Sequence, residues 1–405
     1  MLWFFVLLLG QLLVPAAATV HTAAAKLILR NISNWILQTS LPTNNLTNTQ
    51  DSLKTSIFIN GNLARVLLAS SSIFDDEPAY LSTGLLWCDA FVKLQHDQDT
   101  HDGRSAGGWW DTGYSDLFIA DTGTAVTCLA LCYDMTHDTQ RKSNYMNAML
   151  KFSEFVVNGT STTPKCTFTP SCQYDALGNE TEVAATFLVG DGSLGDGYYE
   201  HRLNTPSYTI ATATTGGAFF SELYALTGRS DFKAMATKAT EWLLKHVEKN
   251  GTIPYYIYPP TTVPHEYQCT SYSTEAIVDV VHLRSLLNST VVDIDAISKR
   301  MVDYLLRNQQ PSGELIDPAV ASVGEQQRSP RAMSLLQWYF ERTQDPRASA
   351  AIEKYIHFLM TPAAFDPKTY GVNSFALVSG FVGLALADYI QPWCTFVKSV
   401  EKVAK

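Results

Sequence analysis

The chain has 405 residues, 46% of them hydrophobic, and a formal net charge of -10 without any basic cluster. That charge excludes the electrostatic footprint of a nucleic-acid binder or of a protein that docks on an anionic membrane. The apolar content is that of an ordinary globular protein, and the length allows two domains, or one large one if a repeat organises it.

Residues Met1 to Val14 form an apolar run, MLWFFVLLLGQLLV, followed by Pro15 and the small residues Ala16, Ala17 and Ala18. The pattern is that of a secretory signal peptide cleaved near Ala18, although no Lys or Arg precedes the run. A membrane anchor is the competing reading, but the run is shorter than the roughly 20 residues a span needs. Six N-X-Ser/Thr sequons agree with secretion to the extracellular space: Asn31, Asn45, Asn158, Asn179, Asn250 and Asn288, most of them in polar, turn-rich stretches. The mature chain, residues 19–405, contains no linker and is read as one catalytic domain, working as a monomer.

AAAKLILRNISNWILQ, the first segment after the leader, is a single amphipathic helix. NGNLARVLLASSSIFDDEPAYLSTGLLWCDAFVKLQ then reads as two helices joined by the turn FDDEP. Asp75, Asp76 and Glu77 in that turn resemble a magnesium cluster, but turn chemistry explains these residue types. HDQDTHDG lacks the twelfth-position Glu of a calcium loop, and no His pair has zinc spacing.

Four further segments repeat the plan of apolar helix, short polar turn and amphipathic helix. They begin TGTAVTCLALCYDM, TGGAFFSELYALTG, STEAIVDVVHLRSLL and SPRAMSLLQWYFERT. NSFALVSGFVGLALADYI at the C-terminus is again a single helix. If it pairs with the first one, five hairpins and one split hairpin make six. The fold expected is an all-α (α/α)6 toroid, with apolar helices inside and amphipathic ones outside. The split pair closes the ring, which avoids the polar caps an open solenoid needs.

The 7 cysteines leave at least one thiol unpaired within a monomer. Cys166 and Cys172 flank a Pro- and Thr-rich loop and are expected to form a local disulfide. Cys128 and Cys132, at i and i+4, read as small buried hydrophobes. Cys269 and Cys394 are a long-range pairing that sequence alone leaves open.

One rim of such a toroid carries the long connections from each outer helix to the next inner one, and binding concentrates on loops of this kind. Here they are rich in aromatics and acids: GGWWDTGYSDLFIADTG, GDGSLGDGYYEHRLNTPSYTIATATTGG, IPYYIYPPTTVPHEYQCTSYS and GELIDPAVASVGEQQRSP. Sugar rings need flat aromatics to stack on and acids or amides for their hydroxyls. Trp109, Trp110, Tyr114, Tyr198, Tyr199 and Tyr256, with Tyr255, Tyr258 and Tyr272, supply the first; Asp116, Asp191, Glu266 and Glu325 belong to the second. Glycoside hydrolysis usually takes two carboxyl groups around the bond. Asp111, behind two tryptophans whose apolar wall would raise its pKa, is the candidate acid, and Asp196 the second carboxylate. Asp121 reads as the N-cap of the helix that follows. GDGSLGDG lacks the Lys of a phosphate loop and follows no strand pattern, so it reads as a flexible loop without nucleotide, and no cofactor is called for.

WDTGY is similar to the Asp-x-Gly-aromatic segment of unsaturated glucuronyl hydrolases, and the whole repeat resembles the six-hairpin glycosidase superfamily. The resemblance implies a toroidal carbohydrate-active enzyme, with Asp111 a functional acid. Those enzymes carry a second catalytic Asp ahead of the next inner helix, where this chain reads SYTIATATTGG. The leading reading is therefore a glycoside hydrolase acting on an oligo- or polysaccharide. The alternative is a polysaccharide lyase using the Tyr, His201 and Arg202 of YYEHR with Arg328 and Arg331. A secreted sugar-binding protein without catalysis is the third.

Overall fold

A computed structural model describes residues 21–38, 57–95, 107–109, 117–158, 187–188, 190–199, 202–254, 256–257, 293–316, 331–365 and 367–397. In chain order the helices are α1 (residues 21–38), α2 (Ile57–Ser71), α3 (Pro78–Leu94), α4 (Ile119–Met135) and α5 (Thr139–Asn158). A composite helix follows, made of α6 (Thr209–Ala211), a π-helix (Thr212–Phe219) and α7 (Phe220–Thr227). Then come α8 (Ser230–Lys245), α9 (Ile294–Asn308), α10 (Ala332–Thr343), α11 (Pro346–Leu359) and α12 (Pro367–Ile390).

Two kinds of helix alternate. In α2 every residue from Ile59 to Ser70 is buried, and in α4 every residue from Ile119 to Cys132 except Asp121. A helix without a polar face has to be enclosed on all sides. By contrast α8 buries Phe232, Ala236, Ala239, Thr240 and Leu243, and α11 buries Ala348, Ala351, Ile352, Tyr355, Ile356 and Leu359. These are single stripes at helical spacing, so these helices lie outside. Packing runs α10–α12–α2–α4–composite helix through the inner ring. Small residues let its members approach closely: Gly61 of α2 faces the backbone of Thr124 and Ala125 on α4, and Gly383 of α12 faces Val66 of α2.

The ring closes through α1. His21 lies edge-on to His357 of α11 (ring centroids 5.1 Å apart), and Thr22 is hydrogen-bonded to Tyr389 of α12. Further along α1, Ser33 meets Ser70 of α2 (Oγ–Oγ 2.8 Å), and Asn34 accepts from Tyr80 of α3 at 2.7 Å. The acidic turn between α2 and α3 belongs to this clasp, because Arg30 of α1 grips both carboxylate oxygens of Asp76 (2.9 and 2.8 Å). The expected (α/α)6 arrangement is thus the observed one; the inner helix read from STEAIVDVVHLRSLL lies outside the described residues.

Three details differ from the sequence reading. A four-stranded antiparallel sheet accompanies the helices, in the order β1 (Leu117–Phe118), β2 (Gly195–Tyr199), β3 (Arg202–Tyr208), β4 (Tyr256–Ile257). Cys132 is not a packed thiol but is disulfide-bonded to Cys88 of α3, leaving Cys128 free and buried. Helix α4 starts at Ile119 with Phe118 as its N-cap residue, so Asp121 sits inside the first turn instead of capping it. The Cys166–Cys172 pairing and Cys269 lie outside the described residues. Among the sequons, Asn31 is exposed on the surface of α1, Asn250 is exposed in a turn, and Asn158 is the last residue of α5; Asn45, Asn179 and Asn288 lie outside the described residues.

Candidate active-site rim

The connections that enter the inner helices share a turn. Gly107 and Gly192 have φ of 104° and 107°, the left-handed region open to glycine, and a Cβ on either would strike the carbonyl of Lys151 on α5 or of Lys238 on α8. Gly251 and Gly313 hold the same turn against Arg300 of α9 and Lys354 of α11. The residue before the glycine accepts from the amide after it: Asp191 from Ser193 (2.9 Å), Asn250 from Thr252 (3.0 Å) and Ser312 from Glu314 (3.4 Å). Gln95 and Gln309 pin the turns further. Each donates to the glycine carbonyl and to an outer-helix carbonyl, Gly107 and Ala148 in one case, Gly313 and Ala351 in the other.

Two residues beyond each glycine the chain plugs into the core with Trp109, Leu194, Ile253 or Leu315, none more than 2% exposed. This corrects the reading of Trp109. Its indole N–H donates to the Phe91 carbonyl at 2.9 Å and its ring packs edge-on to Phe152, so it presents no face to a sugar. Asp191 is exposed, but it too has a structural role, in the turn itself. Its equivalents are Asn250 and Ser312, and it is spent on Ser193 and on the Trp242 indole N–H at 2.9 Å. Partial burial works against its charge, yet these hydrogen bonds hold the carboxyl below its ordinary value.

Past the plugs three of these connections meet as the sheet. Leu117 pairs with Tyr198, Tyr199 with Arg202, and Tyr208 with Tyr256. Asp196 sits where the β2–β3 register shifts, between Gly195 and Gly197. Gly197, with φ of 139°, lies against the Leu117 carbonyl of β1, which only glycine allows. The structure therefore puts Asp196, Tyr198, Tyr199, Arg202 and Tyr256 on one small sheet. GDGSLGDG ends in a strand and is not a loop throughout, a signal hidden by its glycines. The segment holding Trp110, Asp111, Tyr114 and Asp116 runs into β1 but lies outside the described residues, as do His201, Glu325 and Arg328.

The sheet leads straight into the composite helix, whose threonines are all engaged. Thr209 Oγ1 donates to the Pro254 carbonyl, Thr212 to Tyr208, Thr214 to Ile210, and Thr215 to Ile119. These bonds explain SYTIATATTGG as helix anchoring. They also support the widened π-turn, a feature frequent at functional sites. Arg331 is not placed to bind a uronate: it is buried and paired with Asp388 of α12 at 3.0 Å. Among the described residues a cavity of about 110 Å³ lies under the Gly192 turn, lined by Leu194, Phe220, Met235 and Lys238 among others. It is apolar and far below the roughly 300 Å³ of a ligand site.

This fold is the six-hairpin (α/α)6 toroid. No protein-family model and no curated protein matches the sequence. Among solved structures, a family 76 glycoside hydrolase from a bovine Bacteroides thetaiotaomicron strain superposes with a TM-score of 0.58 at 12% identity, over 89% of this chain and 77% of that one. An inactive variant of an alpha-1,6-mannanase from Salegentibacter sp. HEL1_6, bound to alpha-1,6-mannotetrose, gives 0.56 at 11% identity, over 90% and 99%. A polysaccharide lyase gives 0.54 at 11%, over 91% and 97%. No helix among the described residues is long and apolar enough to cross a membrane.

Proposed function

We propose that the chain is a secreted carbohydrate-active enzyme, a glycoside hydrolase that cuts an oligo- or polysaccharide on the sheet-bearing rim. The observation that carries this reading is the sheet itself. It joins three inter-hairpin connections, so Asp196 and the tyrosines of β2 and β4 share one platform with the segment that follows Asp111. Asp111 is the general acid and Asp196 the second carboxylate. Trp110, Tyr114, Tyr198, Tyr199 and Tyr256 supply stacking surface, and Asp116, His201, Arg202, Glu325 and Arg328 hydrogen bonds. Neighbours of the same fold that are named as glycoside hydrolases support the reaction class. The Cys88–Cys132 disulfide supports an oxidising, secretory compartment.

The mannanase neighbour is inactive when two adjacent aspartates are replaced. This chain has a single Asp-Asp pair, Asp75–Asp76, in the α2–α3 turn where Arg30 holds Asp76. Its substrate and its acid pair are therefore not carried over. One observation favours elimination as the second reading: Tyr199 and Arg202 are direct partners across β2 and β3, a base and a carboxylate-binding group on one hairpin. The test is to incubate the purified chain with a panel of neutral and uronate-containing polysaccharides, reading new reducing ends and ultraviolet absorbance together. Reducing ends without absorbance support hydrolysis; both together mean elimination; neither, with retained binding, means a sugar-binding protein.

A further inference from the structure

Three buried sulfur atoms lie together between α3 and α4, and the proposed reaction uses none of them. Cys128 and Cys132 stand one helical turn apart on α4, and Cys88 faces both from α3. All three sulfur atoms lie within 4.8 Å of one another. Cys88 is bonded to Cys132, while Cys128 Sγ waits 3.6 Å from Cys88 Sγ. A bonded pair of sulfur atoms is separated by about 2 Å, so Cys88 and Cys128 have to close by about 1.5 Å, with some realignment of the three sulfur atoms, to be joined instead.

We propose that Cys128 is an alternative partner of Cys88, giving the covalent staple between α3 and α4 two registers one helical turn apart. The exchange balances without any outside oxidant. The Cys128 thiolate attacks Cys88 Sγ and the Cys88–Cys128 bond forms. The Cys88–Cys132 bond breaks, and Cys132 leaves with the electron pair and takes up the proton that Cys128 released. The number of disulfides is unchanged, and the free thiol moves from Cys128 to Cys132, whose sulfur lies 3.7 Å from the Gly84 carbonyl. In the closed core the step is held back: burial, with Glu222 adding to it and Arg65 opposing it, pushes the Cys128 thiol up to about 12. It runs when α3 and α4 part, during folding or local opening. A soft metal on the same three sulfur atoms would first require a reductant to open the disulfide.

The experiment uses the full oxidised chain. The protein is opened in denaturant at alkaline pH, returned to native conditions, quenched in acid, alkylated with iodoacetamide in denaturant, and digested without reduction. No Lys or Arg lies between Arg104 and Arg141, so trypsin leaves Cys128 and Cys132 on one peptide, and fragmentation across Leu129–Leu131 locates the label. The proposal expects two populations, with Cys88 linked to Cys132 and the label on Cys128, or the reverse. A label found only on Cys128 overturns it. In Cys132→Ser, Cys88 should link to Cys128; a folded variant in which both take the label also overturns it. The wild-type arm decides if that variant fails to fold.

Discussion

Arg331 and Asp388 form an ion pair closed off from solvent: Nη1 lies 3.0 Å from Oδ2, and the side chains are 1% and 0% exposed. The Thr395 amide and hydroxyl also donate to the Asp388 carboxylate, at 3.1 and 2.9 Å, and Arg65 of α2 reaches the Thr395 carbonyl at 3.3 Å. One carboxylate thus ties the start of α10, the end of α12 and the segment beyond it back to α2, where the ring closes.

Burial pushes the Asp388 carboxyl up, and Arg331 and Thr395 oppose that shift. Such a pair does more harm broken than removed. Asp388→Ala should cost about 3–5 kcal/mol in urea unfolding, because it strands a buried guanidinium. Asp388→Leu combined with Arg331→Met should cost clearly less. A single variant within about 1 kcal/mol of wild type would mean that the guanidinium finds water or another partner.

The turn glycines can be ranked without reference to activity. Gly190 and Gly192 both have left-handed φ, 99° and 107°, but a Cβ on Gly190 meets nothing within 4 Å, whereas one on Gly192 strikes Lys238. Gly190→Ala should lose only the conformational cost, about 1–2 kcal/mol. Gly192→Ala should lose more and broaden the unfolding transition. Equal melting temperatures for the two would show that the turn gives way freely.

These turns also show what the sequence held. The hairpins were legible because inner helices are apolar throughout and outer ones keep a 3.6-residue stripe. Trp109 reads as a stacking aromatic beside Trp110 and Asp111, yet it fills the place that Leu194, Ile253 and Leu315 fill two residues after a glycine. The shared spacing from the turn glycine is the signal that marks it as a plug. The sheet was hidden because Gly195 and Gly197 carry no strand signal, the latter being there for a close backbone approach. The Cys88–Cys132 bond joins two different helices, a distance that composition cannot give.

Trp109 and Trp110 should therefore separate cleanly. Trp109→Ala removes a buried indole and should cost about 3–5 kcal/mol of stability. Any loss of activity in that variant should track the unfolded fraction and vanish on cooling. Trp110→Ala should leave the melting temperature near wild type and raise KM. The reverse pattern would move the stacking surface back to Trp109.

Asp191 makes a pH-dependent contribution. Its folded-state carboxyl lies below the ordinary 3.8, so the stability it lends is present above that value and is lost as pH falls through the lower folded value. Asp191→Asn should be less stable than wild type at neutral pH. Its melting temperature should also fall less steeply below about pH 4. Parallel profiles would show that the Trp242 and Ser193 hydrogen bonds are indifferent to charge.

Asp111 and Asp196 are tested by what each substitution leaves behind. Asp111→Asn keeps shape and removes the transferable proton, so hydrolysis should fall about 10²–10⁴-fold while binding of the oligosaccharide is retained. If Asp196 holds the second carboxylate role, Asp196→Asn should fall comparably, and the double variant little further, because the two act on one transition state. A substrate with a very good leaving group needs no proton from the acid. On it, Asp111→Asn should recover much of its rate, and Asp196→Asn should not. That contrast assigns the two roles, which loss of activity alone does not do. If Asp111→Asn turns over polysaccharide at the wild-type rate, the acid lies elsewhere on the rim. If Tyr199→Phe abolishes an absorbance-forming reaction that Asp111→Asn leaves intact, the chemistry is elimination.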